Sequence, residues 1–200
     1  MLAEAAAYPV QPPSGKERRF PGNKAIWVGI TAEFVEFALM FVVYFISRYH
    51  NPDAFRQGPE LISTTAGTIN TFIMVTSSFF IARAVGAMKA GRNPASLRWL
   101  VLAMIVAIGY PIVKVLEIQW NIAHGIDGRA GIFYTVYYYL TLNHLVHACW
   151  GILGMGWVLV RMAGNAYSSE QHDGLEALAS YWHATDIIWL ALFPLFYVLA

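Results

Sequence analysis

Cysteine is almost missing from this chain: Cys149 is the only one among 200 residues. An internal disulfide framework is therefore excluded, and so is any cysteine-rich zinc or iron–sulfur site. Charge is scarce too, at 12% of residues, where an ordinary soluble domain has about 25%. Thirteen Lys and Arg stand against twelve Asp and Glu, a formal net charge of +1. No basic field exists to capture nucleic acid by counterion release, and no nucleic-acid partner is expected. What the chain does have is apolar bulk, 58% hydrophobic and 15% aromatic, gathered into long blocks. A water-soluble domain is excluded, and the question becomes how often the chain crosses a bilayer.

A crossing helix needs about 20 mostly apolar residues to span roughly 30 Å of hydrocarbon. Five blocks qualify, at about 25–46, 61–82, 99–120, 132–160 and 178–200. Turn-forming stretches separate them: Asn51-Pro52-Asp53, Gly91 to Pro94, Gly125 to Gly128, and Gly164 to Gly174. The sequence thus predicts an all-α integral membrane protein of five transmembrane helices, a single domain over 25–200 preceded by a flexible cytoplasmic tail at 1–24. That tail has no charged segment ahead of a short apolar core, so it does not read as a cleaved signal peptide. Nine Lys and Arg lie in the tail and in the second and fourth connections, against three (Arg48, Arg56, Arg129) on the other side. The excess predicts a cytoplasmic N-terminus and a C-terminus on the outer, periplasmic face of a bacterial inner membrane.

Ionisable groups inside spans are costly and are functional candidates for that reason. They come in pairs three residues apart: Glu33 and Glu36, Lys114 and Glu117, His144 and His147, His183 and Asp186. Each spacing places both members on one side of a helix. Depth, at about 1.5 Å per residue, sorts them into a buried inner cluster of Glu33, Glu36, His183 and Asp186 and an outer cluster of Lys114, Glu117, His144 and His147. Lys114 and Glu117 can form an ion pair along their own helix. Glu33 and Glu36 are too close in low dielectric for both to ionise, so one of them could carry a proton. The histidines and carboxylates could in principle ligate iron or haem. The Glu-x-x-His pairs of di-iron bundles are absent, however, and hydrogen bonding across helix interfaces is the plainer reading. Trp27, Trp99, Trp120, Trp182, Tyr49 and Tyr181 sit near span ends and read as interfacial belts. Tyr137, Tyr138 and Tyr139 must point in different directions and read as packing.

Taken in order, the motifs resemble one family. Ile30 to Val35, centred on Glu33, is followed by Asn70-Thr71 and then Thr76-Ser77-Ser78. Lys114-Val115-Leu116-Glu117 comes next, then His144-Leu145-Val146-His147 with Gly151. The series closes with Glu176 and Tyr181-Trp182-His183-Ala184-Thr185-Asp186, continuing to Trp189. Together these resemble subunit III of the haem–copper oxidases, a family that includes a related membrane subunit of nitric oxide reductase clusters, in its five-helix form. Leu142 and Leu145 stand where relatives often carry glycine, and Glu36 is an additional acid.

The resemblance implies an accessory, non-catalytic subunit that binds no cofactor or metal itself. It would dock on a catalytic subunit holding haem and copper or non-haem iron, and would sustain the stability and proton uptake of that partner. It also implies phospholipid held in a V-shaped cleft between helix groups, with Glu33 facing the cleft and His183 and Asp186 as its polar neighbours. A stand-alone metalloenzyme built on the His and Glu residues and a small proton-conducting protein built on Glu33 and Glu36 are the competing readings.

Overall fold

The computed structural model describes residues 24–199. The tail at 1–23 and Ala200 lie outside the described residues. Six α-helices follow one another: α1 Lys24–His50, α2 Pro52–Gln57, α3 Thr64–Lys89, α4 Asn93–Ala123, α5 Ile132–Ala163 and α6 Asp173–Tyr197, with one 3₁₀ turn at Gly58–Leu61. No strand occurs among the described residues. Helices α1, α3, α4 and α5 are long and apolar enough to cross a membrane. α6, with 25 residues, is long enough but not among them; it carries Asp173, Glu176, His183 and Asp186.

Local chemistry explains the boundaries. Ser63 caps α3 by accepting the Ala66 amide at 3.2 Å, and Pro52 and Pro94 open α2 and α4, where a missing N–H costs nothing. Three long helices stop in the same way. Beyond α3 the Arg92 amide reaches back to Ala87 O, beyond α4 Ile126 reaches Asn121 O, and beyond α5 Ala166 reaches Arg161 O, each at 2.9–3.0 Å. The residue at the turn has positive φ in each case: Gly91, Gly125 and Asn165. This left-handed closure satisfies carbonyls that a helix end would otherwise leave bare. The stretch after α1, expected to be a plain turn, instead folds as α2 and the 3₁₀ turn and packs back on the bundle. Phe55 meets Tyr44 at 5.3 Å and Phe133 at 5.4 Å between ring centroids.

Helices α3, α4, α5 and α6 form a closed ring, α3 against α4, α4 against α5, α5 against α6 and α6 against α3. α1 stands outside the ring and packs on α5 and α6. Its buried stripe is Ile30, Glu33, Phe37, Met40 and Tyr44, the three-and-four spacing of a helix that touches its neighbours along one face. Most of the rest of α1 from Val28 to Ile46 is apolar and exposed, as hydrocarbon requires, with Thr31 and Glu36 the exposed polar exceptions. Inside the ring, Trp182, Trp189, Tyr110, Tyr137 and Phe196 are fully buried. The Trp182 ring lies directly on Gly151: a Cβ there would fall 2.6 Å from Cε3. Trp182, expected in an interfacial belt, is therefore a core residue, because glycine on α5 leaves room for an indole that no smaller opening would admit. Trp120 and Tyr49 are exposed, as a belt demands.

Replacing Gly151 by Ala should force Trp182 to shift and cost about 1–3 kcal/mol. Gly86→Ala, where a Cβ meets nothing within 4 Å, should be neutral or slightly stabilising. Thermal unfolding of the two variants in the same detergent compares them directly.

Candidate functional site

The polar side chains inside the bundle gather into four groups, each set by the helices that meet there. The most enclosed is built on Lys114 and Glu117 of α4. The Lys114 Nζ donates to Glu117 Oε2 at 3.0 Å and to the hydroxyls of Tyr137 (2.8 Å) and Tyr197 (2.9 Å). Both tyrosine hydroxyls donate to Glu117 Oε1, at 2.7 and 2.8 Å. All three ammonium protons and both carboxylate oxygens are thereby engaged, and both side chains are wholly inaccessible. Satisfying every member is what makes a buried ion pair tolerable, since its charges have left water. α4 supplies the pair, α5 supplies Tyr137 and α6 supplies Tyr197, so one network joins three helices.

One turn deeper sits His144, also fully buried. Its Nε2 lies 3.0 Å from the Thr185 carbonyl oxygen, and its Nδ1 lies 2.7 Å from the Tyr110 hydroxyl. A carbonyl only accepts, so Nε2 carries the proton, and the neutral ring then accepts from Tyr110 at Nδ1. Both ring nitrogens are occupied, which leaves no lone pair for a metal. His147 does not join the outer group as the sequence suggested. Three residues on, it turns toward α1, where Phe37 separates it from His144, and its Nε2 lies 3.7 Å from Glu36 Oε2. Its Nδ1 donates to the Asn143 carbonyl at 2.9 Å.

The expected inner cluster is also divided. His183 and Asp186 lie 3.5 Å apart and face α3, where the Ser78 hydroxyl bonds to both. Glu33 meets the opposite side of α6: Oε1 accepts from Thr185 at 3.4 Å, and Oε2 is buried with no hydrogen-bond partner among the described residues. The polar neighbours of Glu33 are thus His147, Thr185 and, on its own helix, Glu36, rather than His183 and Asp186. The reason is angular. Positions 183 and 186 share one side of α6, and position 185 faces the other way.

The remaining motif residues tie helices together. Trp182 Nε1 donates to Ser77 Oγ at 3.1 Å, Trp189 Nε1 to Thr71 Oγ1 at 3.0 Å, and Tyr181 OH to the His147 carbonyl at 3.1 Å. Asn70 is fully buried, and neither end of its amide has a hydrogen-bond partner among the described residues. Glu176 pairs with Lys89 at 2.7 Å at the bundle end. Sequence reasoning missed Tyr110 and took Tyr137 as packing. Tyr137, Tyr138 and Tyr139 do diverge: Tyr138 donates to the Ile126 carbonyl and Tyr139 is exposed. Only the one that points inward finds the ion pair. Among the described residues no three of His, Cys, Asp and Glu come together as a metal-binding group.

An all-helical, multi-pass membrane protein whose ring helices are tied by a buried, fully paired Lys114–Glu117 network is the class defined here. Comparison with known proteins narrows it. The family model described as cytochrome c oxidase subunit III matches residues 22–200, and the chain belongs to that family. A haem–copper oxidase subunit I+III of Aeropyrum pernix is 29% identical over 90% of this chain, which spans only 23% of that longer relative. A probable quinol oxidase subunit 3 of Staphylococcus saprophyticus is 22% identical over 92% of both chains. A probable cytochrome c oxidase subunit 3 of Mycobacterium tuberculosis is 25% identical, over 85% of this chain and 84% of the relative. The protein is a multi-pass component of the bacterial inner membrane.

Removing one partner of the enclosed pair should be worse than removing both. Lys114→Met should cost about 3–5 kcal/mol by leaving Glu117 uncompensated, and adding Glu117→Leu should restore part of the loss. Tyr197→Phe should cost about 1–3 kcal/mol. Detergent unfolding of the single and double variants checks the order.

Proposed function

We propose that this chain is a cofactor-free accessory subunit of a respiratory haem–copper oxidase, supporting a catalytic subunit that carries haem and metal. The observation that carries this reading is the closure of the polar groups around Lys114 and His144. Lys114, Glu117, Tyr137 and Tyr197 satisfy one another, and His144 is held by Tyr110 and the Thr185 carbonyl, so these groups hold helices together and present nothing to a substrate. A metalloenzyme would need ligating lone pairs that His144 has already committed.

In this reading α6 is the fifth span, the N-terminus is cytoplasmic, and the basic residues Arg83, Lys89, Arg92 and Arg98 lie on the same side. Glu33, buried with one oxygen unpartnered, is the carboxyl suited to hold a proton near a phospholipid-bearing cleft, and through it the subunit would sustain proton uptake by its partner. Oxygen is the preferred terminal acceptor over nitric oxide, since the relatives carry oxidase names. The donor is cytochrome c or a quinol.

Tagged chain extracted from its native membrane in mild detergent should bring with it a haem-bearing polypeptide, visible in the reduced-minus-oxidised spectrum. The chain separated from that partner should hold no stoichiometric iron or copper. Absence of a haem-bearing companion, or tightly bound metal on the isolated chain, overturns the reading.

A further inference from the structure

One ring nitrogen is left over where α3 meets α6. The Ser78 hydroxyl has a single proton and donates it to Asp186 Oδ2, so in its contact with His183 Nδ1 the ring is the donor. The proton of the neutral imidazole is thereby fixed on Nδ1. Nε2 keeps its lone pair, makes no hydrogen bond among the described residues, and belongs to a side chain that is 41% exposed.

That ring edge lines a groove between the two helices. Ala82 and Val85 of α3 and Ala179 and Ser180 of α6 wall a cavity of about 250 Å³, with the Lys89 and Glu176 ion pair at one end and His183 at the other. Positions 176 and 183 differ by seven residues, so the imidazole stands about 10 Å along α6 from the ion pair. The pair marks the bundle end, and His183 lies well inside it.

A lone pair at that depth asks for a donor, and an acceptor kept from water without one is costly. Phospholipids carry donors only in the headgroup, whereas the ester carbonyls beneath it accept and the acyl chains do neither. The occupant must therefore dissolve in the membrane, carry an O–H below headgroup level, and turn an apolar body to Ala82, Val85 and Ala179. A hydroxylated ring with an alkyl tail does all three. One hydroxyl donates to Nε2, the hydroxyl across the ring reaches toward Ser180 and the ion pair, and the tail leaves along the groove into lipid. Pockets for drug-sized ligands measure about 300–1,000 Å³, so this smaller cavity suits a single ring.

We infer that the groove between α3 and α6 binds a membrane-soluble dihydroxybenzene of the quinol type, with His183 Nε2 accepting from one of its hydroxyls. The corresponding quinone has carbonyl oxygens that only accept, so it gives Nε2 nothing and binds more weakly. Ser78 and Asp186 are positioning residues that hold the ring with its lone pair outward. Every contact is supplied by this chain, and the inference stands or falls separately from the accessory-subunit reading.

Native membranes containing the full chain are illuminated with a decylbenzoquinol that carries a diazirine in its tail, held reduced under argon. Mass spectrometry should find the adduct on groove residues of α3 and α6 and not at Ile105, exposed on α4. Unlabelled decylbenzoquinol should compete. Its dimethyl ether, which has lost both donors, its quinone, and dodecanol, which lacks the ring, should each compete about tenfold less well. His183→Leu should lower the yield about tenfold, while His183→Gln, whose amide oxygen also accepts, keeps most of it, with equal thermal stability excluding a folding defect. Should His183→Leu fail to accumulate, the competition series on the wild-type chain decides alone. Equal competition by the ether, the quinone or dodecanol overturns the inference. So do adducts as frequent at Ile105, adducts confined to other polypeptides, or labelling that a folded His183→Leu chain leaves unchanged.

Discussion

Lys114 and Glu117 are two opposite charges sealed from water, and the arrangement of the ring helices follows from the need to satisfy them. An ammonium and a carboxylate at zero accessibility are tolerable only when each proton and each oxygen has a partner. Those partners are hydroxyls from two other helices. Tyr137 fixes the rotation of α5 about its axis, and Tyr197 fixes that of α6. Neither helix can turn by one residue without leaving a charge bare. In hydrocarbon, where apolar packing against a neighbour and against lipid differ little, such polar contacts are what select one packing among many.

Around this centre the same device recurs at lower stakes. Trp182 on Ser77 and Trp189 on Thr71 join α6 to α3, the Tyr110 and His144 pair joins α4 to α5, and the Thr185 carbonyl brings α6 into that contact. α1 is the exception. It contributes no partner to the ion pair, packs mainly on α5 and α6, and holds its place through Glu33, Phe37 and Tyr44. The ring is thus tightly specified by buried polar contacts, and α1 is attached along one face only.

The spans could be read from hydropathy because four of the long helices are apolar on every side, and hydropathy needs no knowledge of neighbours. α2 escaped notice because six residues starting with proline look like a turn until Phe55 is seen in its pocket. The site was legible as pairs, since a spacing of three assures a shared helix side. What could not be read was which neighbour each side meets. Positions 183, 185 and 186 differ by fractions of a turn, and those fractions send Asp186 to Ser78 and Thr185 to Glu33. His144 and His147 likewise diverge around Phe37. Tyr137 gave no signal apart from Tyr138 and Tyr139, because only helix rotation tells which of three adjacent rings enters the core. Trp182 misled for a related reason: its place near a span end said nothing of Gly151 waiting on α5.

The Tyr44 hydroxyl donates to the carbonyl of Leu195 at 2.8 Å, across 151 residues of chain, and Glu33 accepts a hydrogen bond from Thr185. Translation runs from α1 toward α6. α1 therefore enters the bilayer with a carboxyl and a phenol whose partners on α6 have not yet been synthesised. The native seat of α1 becomes available only once α6 has been made, so the two ends of the bundle are completed by one late contact.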